Sequence, residues 1–161
     1  MIIAIESIIL CLAFTLMVYL MSRDPIKQLY NYPTAIQERV RSMDEYKDRI
    51  PTRKNKLFVK LLACVLFIAV ISLILRFVNG YTTFLKAFGY GFLLWTIVNL
   101  WDLIVLDILW FCHDKHFVIP GTEDMVRDYH DYRFHFRGFL IGEALALVVC
   151  SAAGLIVQFV L

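Results

Sequence analysis

Four apolar segments dominate this chain. They cover residues 2–21, 57–78, 86–112 and 138–161, each close to or above the roughly 20 residues that a helix needs to cross a bilayer core. Inside lipid the backbone N–H and C=O groups find no water, so a spanning segment closes its hydrogen bonds on itself as a helix. The chain is 60% hydrophobic over 161 residues, where a soluble domain has about 45–50% apolar residues. That leaves room for one membrane domain with connecting loops and for no soluble domain. The predicted fold is all-α: a polytopic membrane protein forming a single integral membrane domain over 1–161, built as an antiparallel four-transmembrane-helix bundle with amphipathic cytoplasmic helices. Residues 2–21 lack a basic leader and a small-residue cleavage site, and read as a retained span.

The basic residues set the predicted orientation. Of 16 Lys and Arg, ten lie in residues 22–60 and four in 113–137, while Arg76 and Lys86 flank the remaining connection. The positive-inside rule then puts the long loops 22–56 and 113–137 in the cytoplasm and both termini outside, in a multi-pass cell-membrane protein.

In the first loop, Thr34 and Gln37 have the spacing of a capping box. Ile36, Val40, Met43 and Ile50 recur at helical spacing, with charges opposite. Two placements stay open for that helix: flat on the membrane surface, or packed on the other loop. The run RKNK at Arg53 to Lys56 reads as a membrane-flanking anchor, with Lys60 snorkelling just inside, and not as a nucleic-acid site. In the last segment, Gly138, Gly142, Ala146, Cys150 and Gly154 repeat every four residues. Such a stripe of small side chains lets helices approach closely in lipid, and predicts a helix-packing face within the same chain. The four cysteines, Cys11, Cys64, Cys112 and Cys150, fall in separate apolar segments without a C-x-x-C and read as small packing residues.

The stretch from Asn99 to Glu143 carries the candidate chemistry, with all four histidines and eight of the fourteen acidic residues. Ionisable groups at membrane depth are costly and mark function by default. Asp102 lies ten residues inside Cys112, roughly 15 Å along a helix and near the middle of a core about 30 Å thick. On an α-helix Asn99, Asp102, Leu106 and His113 share one stripe. Asp107 and Glu143 sit nearer the cytoplasmic interface and could share a proton or cation. The plainer alternatives are hydrogen-bonded polar glue for Asp102 and interfacial ion pairs with Lys60 or Arg137 for the other two. Beyond the span, Thr122 is a plausible helix N-cap. Asp124, Asp128, Asp131 and His135 then step along one face of a continuous helix.

With His113 and His116, the residues Asp128, Asp131 and His135 supply the imidazole and carboxylate ligands that zinc, iron or manganese takes. The alternative is a solvated face. At the other end, Glu6 and Arg76 are expected to form a structural ion pair. Three functions follow. The first is a small integral membrane protein that handles a proton or cation, as a homo-oligomer, through Asn99, Asp102, Asp107 and Glu143. The second is a membrane-embedded enzyme using a divalent metal cofactor on a lipid or quinone-like substrate. The third is an accessory or assembly subunit bound to a membrane-protein partner. Membrane lipid is the common environment of all three.

Overall fold

The computed structural model describes residues 2–161, apart from the side chains of residues 53–56, 59, 60 and 63. The basic anchor at 53–56 and the snorkelling role of residue 60 lie outside the described residues. Every regular element among the described residues is helical. Helix α1 is Ile2–Ser22. A 3-10 segment, Pro25–Asn31, leads to α2, Thr34–Ser42, and a second one, Asp44–Arg49, follows. Helix α3, Arg53–Leu73, continues as π-type turns over Ile74–Val78. Helix α4, Phe84–Trp101, continues as π-type turns over Asp102–Phe111. After a 3-10 turn at Lys115–Phe117 come the short α5, Val126–Tyr129, and the long α6, Tyr132–Phe159.

Three stretches are long and apolar enough to cross a membrane: Ile2–Ser22, Phe84–Phe111 and Val126–Phe159. A further apolar helical stretch, Cys64–Val78, is shorter. Large apolar side chains point outward along all of them, as with Ile8 at 60% exposed, Leu66 at 64% and Ile141 at 70%. Soluble monomers rarely leave such continuous apolar surface in water, and lipid is its natural cover. Helix α4 packs mainly on α6, α6 also packs on α3, and α1 lies against α4. Where α3, α4 and α6 meet away from the long loops, Ile71, Leu75, Ala87, Leu94, Ala153 and Val157 make a dry core.

The two long loops do not act as separate tethers. They close into one cap with its own core. Ile26, Leu29, Tyr32, Ile36, Val40 and Tyr46 from the first loop meet Phe111, Cys112, Phe117, Ile119 and Tyr129 from the α4 exit and second loop. Ile36 and Val40 are fully buried there, so of the two placements open for α2, packing on the other loop is the one observed. Polar bonds fasten the seam. Tyr32 Oη donates to the Phe117 carbonyl at 3.1 Å and Tyr46 Oη to the Pro120 carbonyl at 3.2 Å. At Gly121, with φ +85°, the turn passes so close to Met43 that a Cβ would stand 2.9 Å from its Cε.

Several local expectations change on this scaffold. The amphipathic helix stops at Met43, whose extended backbone ends α2 and starts the next 3-10 segment. The capping box of Thr34 and Gln37 does not form. Pro33 takes the N-cap position, and the Gln37 amide Nε2 donates to the Tyr32 carbonyl at 2.7 Å. Thr122 caps no helix. It is buried, its hydroxyl bonded to the Ile119 carbonyl and paired with Tyr129 Oη at 2.7 Å. A break at His130–Asp131 separates α5 from α6, so the expected face from Asp124 to His135 is not on one continuous helix.

Candidate functional site

The π-type turns over Asp102–Phe111 decide what the loop end of α4 presents. Five residues on, an α-helix has rotated by about 140° past a full turn. An i→i+5 ladder widens each turn, so residues five apart lie nearer one side than they do on an α-helix. The Cys112 N–H accordingly bonds to the Asp107 carbonyl at 3.1 Å. Asp102, Asp107 and Cys112, spaced five and five, therefore come to one side of the helix. The single stripe expected from Asn99 to His113 does not survive this change of period.

His135 meets that side from the first turns of α6. Its ring is 3% exposed, with Nδ1 3.1 Å from Asp107 Oδ2. Phe111 lies edge-on to the ring at 5.1 Å between centroids. Cys112 and Asp102 lie within electrostatic reach of His135, and Asp102 also of Asp107. The second ring nitrogen, Nε2, is buried and makes no hydrogen bond to any described residue.

A second polar cluster lies deeper between α4 and α6. Asn99 Nδ2 donates to Glu143 Oε1 at 2.8 Å and to the Phe139 carbonyl at 3.0 Å, and Thr96 Oγ1 donates to Glu143 Oε2 at 2.9 Å. Gly142 makes this possible, since a Cβ there would sit 2.6 Å from Asn99 Oδ1. Ala146 and Cys150 are buried further along the same stripe, Cys150 Sγ would be 3.7 Å from a Cβ on Gly91, and Gly154 faces Phe84. Gly138 is exposed with open space around its Cα and takes no part in that contact. Asp107 and Glu143 thus belong to separate clusters, one with His135 and the other with Asn99 and Thr96. Among the described residues, no Lys or Arg forms an ion pair with Asp102, Asp107 or Glu143.

The five expected metal ligands disperse. Only His135 turns inward. His116 Nε2 pairs with Ser22 Oγ at 3.2 Å, and His113 Nδ1 with the Ile108 carbonyl at 2.8 Å. Asp131 caps α6 by accepting from the Phe134 N–H, and Asp128 is half-buried beside it on the turn before. No three His, Cys, Asp or Glu side chains converge for a metal among the described residues. Glu6 and Arg76 do not pair with each other. Glu6 accepts from Asn79 Nδ2 at 2.9 Å and from Tyr90 Oη at 2.6 Å, while Arg76 Nε donates to the Leu161 carbonyl at 3.0 Å.

Asp114 anchors the exit from α4. It accepts from the His116 backbone N–H and from Trp110 Nε1, both at 2.9 Å, and these bonds hold its carboxyl below the usual carboxylate range. A carboxyl depressed in the fold adds stability above its unfolded pKa of about 4 and loses it as pH falls through the lower folded value. The indole N–H resonance of Trp110 is therefore expected to shift with a midpoint below pH 4. An unchanged titration in Asp114→Ala would contradict this assignment.

Searches against protein-family models, curated proteins and solved structures found no match to this chain.

Proposed function

We propose that this is a small polytopic membrane protein that passes protons along the α4–α6 interface. In that reading the chain crosses the membrane four times as an antiparallel bundle, with α3 as the fourth span. The contacts of Phe84 with Gly154, Gly91 with Cys150 and Asn99 with Glu143 follow that order. The fourteen-to-two division of basic residues favours a cytoplasmic cap and outside termini.

The observation that carries the proposal is a run of titratable groups that, among the described residues, pair with no Lys or Arg. Glu143 lies deep with Asn99 and Thr96; Asp102 and Asp107 follow toward the cap, and His135 stands at its floor. A carboxylate in lipid is kept either for pairing or for transfer. Here the pairing is with amides, hydroxyls and an imidazole, groups that can hold a proton or hand it on. Each chain offers one such interface, and a second copy set against it would enclose the path. The apolar flanks of α1 and α6 give that copy a surface to meet.

Proteoliposomes with an entrapped pH dye test the proposal. Purified protein should acidify the lumen under an imposed potential, and Asp107→Asn or Glu143→Gln should each cut the rate at least tenfold. A rate no faster than that of empty vesicles would overturn it. Flux carried by sodium or potassium with an unchanged lumenal pH would overturn the proton as the cargo.

A further inference from the structure

We propose that the cavity at the α5–α6 break holds the headgroup of a zwitterionic phospholipid with a primary ammonium, as in phosphatidylethanolamine. This goes beyond proton transfer, since Glu143, Asp102, Asp107 and His135 take no part in lining that cavity. Helix α5 ends at Tyr129, which is buried in the cap, and α6 starts at Tyr132. The turn between them leaves a cavity of about 540 Å³ lined by Arg127, Asp128, His130, Asp131, Tyr132 and Arg133. Small-molecule sites span about 300–1,000 Å³, so the space suits a headgroup. His130 is fixed in its wall. Its Nδ1 donates to the Val126 carbonyl at 2.7 Å, and its ring stands edge-on to Tyr132 at 6.2 Å between centroids.

Two arginines and two carboxylates line this one cavity, yet no ion pair forms among them. Asp131 caps α6 with Oδ1, 3.1 Å from the Phe134 nitrogen, which leaves Oδ2. The side chains of Arg127, Asp128 and Arg133 bond to no described residue. A simple anion here would leave the carboxylates unmatched, and a simple cation would leave the arginines unmatched. A ligand carrying both charges a few bonds apart complements the whole lining. A phosphodiester takes paired N–H donors from a guanidinium. A primary ammonium gives three N–H donors to carboxylate oxygens, which a quaternary ammonium cannot do.

An apolar track starts in the cavity wall. Tyr132 is followed on α6, at four-residue steps, by Phe136 and Leu140, which are 46%, 51% and 50% exposed in that order. Residues four apart are neighbours on a helix surface, so one outward stripe runs from the cavity along the helix. The apolar stretch Val126–Phe159 has 34 residues, where a bilayer core needs about 20. Its first turns therefore have length to spare at headgroup depth. A head seated in the cavity leaves its acyl chains along Phe136 and Leu140.

Native mass spectrometry of the protein in detergent tests this with phosphatidylethanolamine, phosphatidylcholine and phosphatidylglycerol of matched acyl chains. One phosphatidylethanolamine should be retained, at least tenfold more tightly than either of the others. Arg127→Gln combined with Arg133→Gln should abolish its retention. Asp128→Asn should erase the preference over phosphatidylglycerol. Arg137→Gln, one turn further along α6 and outside the cavity, should change nothing. The substituted side chains are exposed or half-buried, and equal melting temperatures in lipid-free detergent check that the variants fold. Equal retention of the three lipids, undiminished retention by the double arginine variant, or a preference that survives Asp128→Asn would overturn the proposal. Displacement of the lipid by an equal concentration of free phosphoethanolamine would make the soluble headgroup the ligand and overturn the lipid as occupant.

Discussion

Gly142→Leu is expected to lower the melting temperature of the detergent-solubilised protein by roughly 6–12 °C, while Gly138→Leu leaves it unchanged. The two glycines sit four residues apart on one helix, and composition gives no reason to separate them. The structure does. A Cβ on Gly142 would stand 2.6 Å from Asn99 Oδ1 and 2.9 Å from Nδ2, whereas one on Gly138 meets nothing within 4 Å. A leucine at 142 must push Asn99 off α6. That breaks its bonds to the Phe139 carbonyl and to Glu143, and leaves a half-buried carboxylate short of a donor. Overpacking alone costs about 1–3 kcal/mol, and stranding a buried polar group adds about 1–3 more. Taking about 3 kcal/mol as the total, a chain of this size loses roughly 2–4 °C per kcal/mol. Equal melting temperatures for the two variants would mean that α4 and α6 do not meet at Asn99.

Ile36→Asp is expected to open the cap while the membrane-crossing helices hold. Ile36 is fully buried among side chains from both loops. A carboxylate there would stand in an apolar core, and burying an unpaired charge ranks with the most destabilising single changes, about 4 kcal/mol or more. The consequence should reach the second loop. The Ile119 N–H, bonded to Tyr129 Oη at 2.9 Å, should exchange with solvent at least 100-fold faster. Trypsin should also cut at Arg39 and Arg41 within minutes. A helix merely resting on lipid would come loose without touching Ile119, so unchanged exchange there would refute the shared core. The Arg39–Asp124 contact at 2.8 Å is exposed and worth too little to hold the cap by itself.

Hydropathy made the helical character of the apolar segments legible, because lipid allows a spanning segment few other conformations. The apolar spacing of Ile36 and Val40 was legible too, but a stripe does not name the surface it will meet. Membrane and second loop were equally open until Phe117, Ile119 and Tyr129 were seen to cover it. Local chemistry was read less well. Pro33 and Met43 moved helix ends by a few residues. Thr122 found a partner in Tyr129 that sequence spacing gives no means to anticipate.

The largest gap was at Asp107. Residues 102–111 contain no Gly or Pro to signal a changed period, and at an α-helical period residues five apart, such as Asp107 and Cys112, fall about 140° apart. The same α-helical period, carried through 124–135, sent His135 to a metal-binding surface with Asp128 and Asp131. Three residues five apart were present in the sequence throughout. A search at a spacing of five, alongside three and four, would have brought Asp102, Asp107 and Cys112 together. The partner of Glu6 was missed for a simpler reason. Opposite charges suggested Arg76, while a neutral amide and a phenol were nearer in space.

The cap draws its core from two loops made at different times. Tyr32 and Phe117, which it joins, are 85 residues apart, and at a synthesis rate of about 5–20 residues per second that interval lasts about 4–17 s. Throughout it, Ile26, Leu29 and Ile36 have left the ribosome with no Phe117, Ile119 or Tyr129 to cover them. The nearest apolar surface for them is α1, a few residues away. The cap closes only after α3 and α4 have been made, so a native cap records that the whole stretch between the two loops has been synthesised.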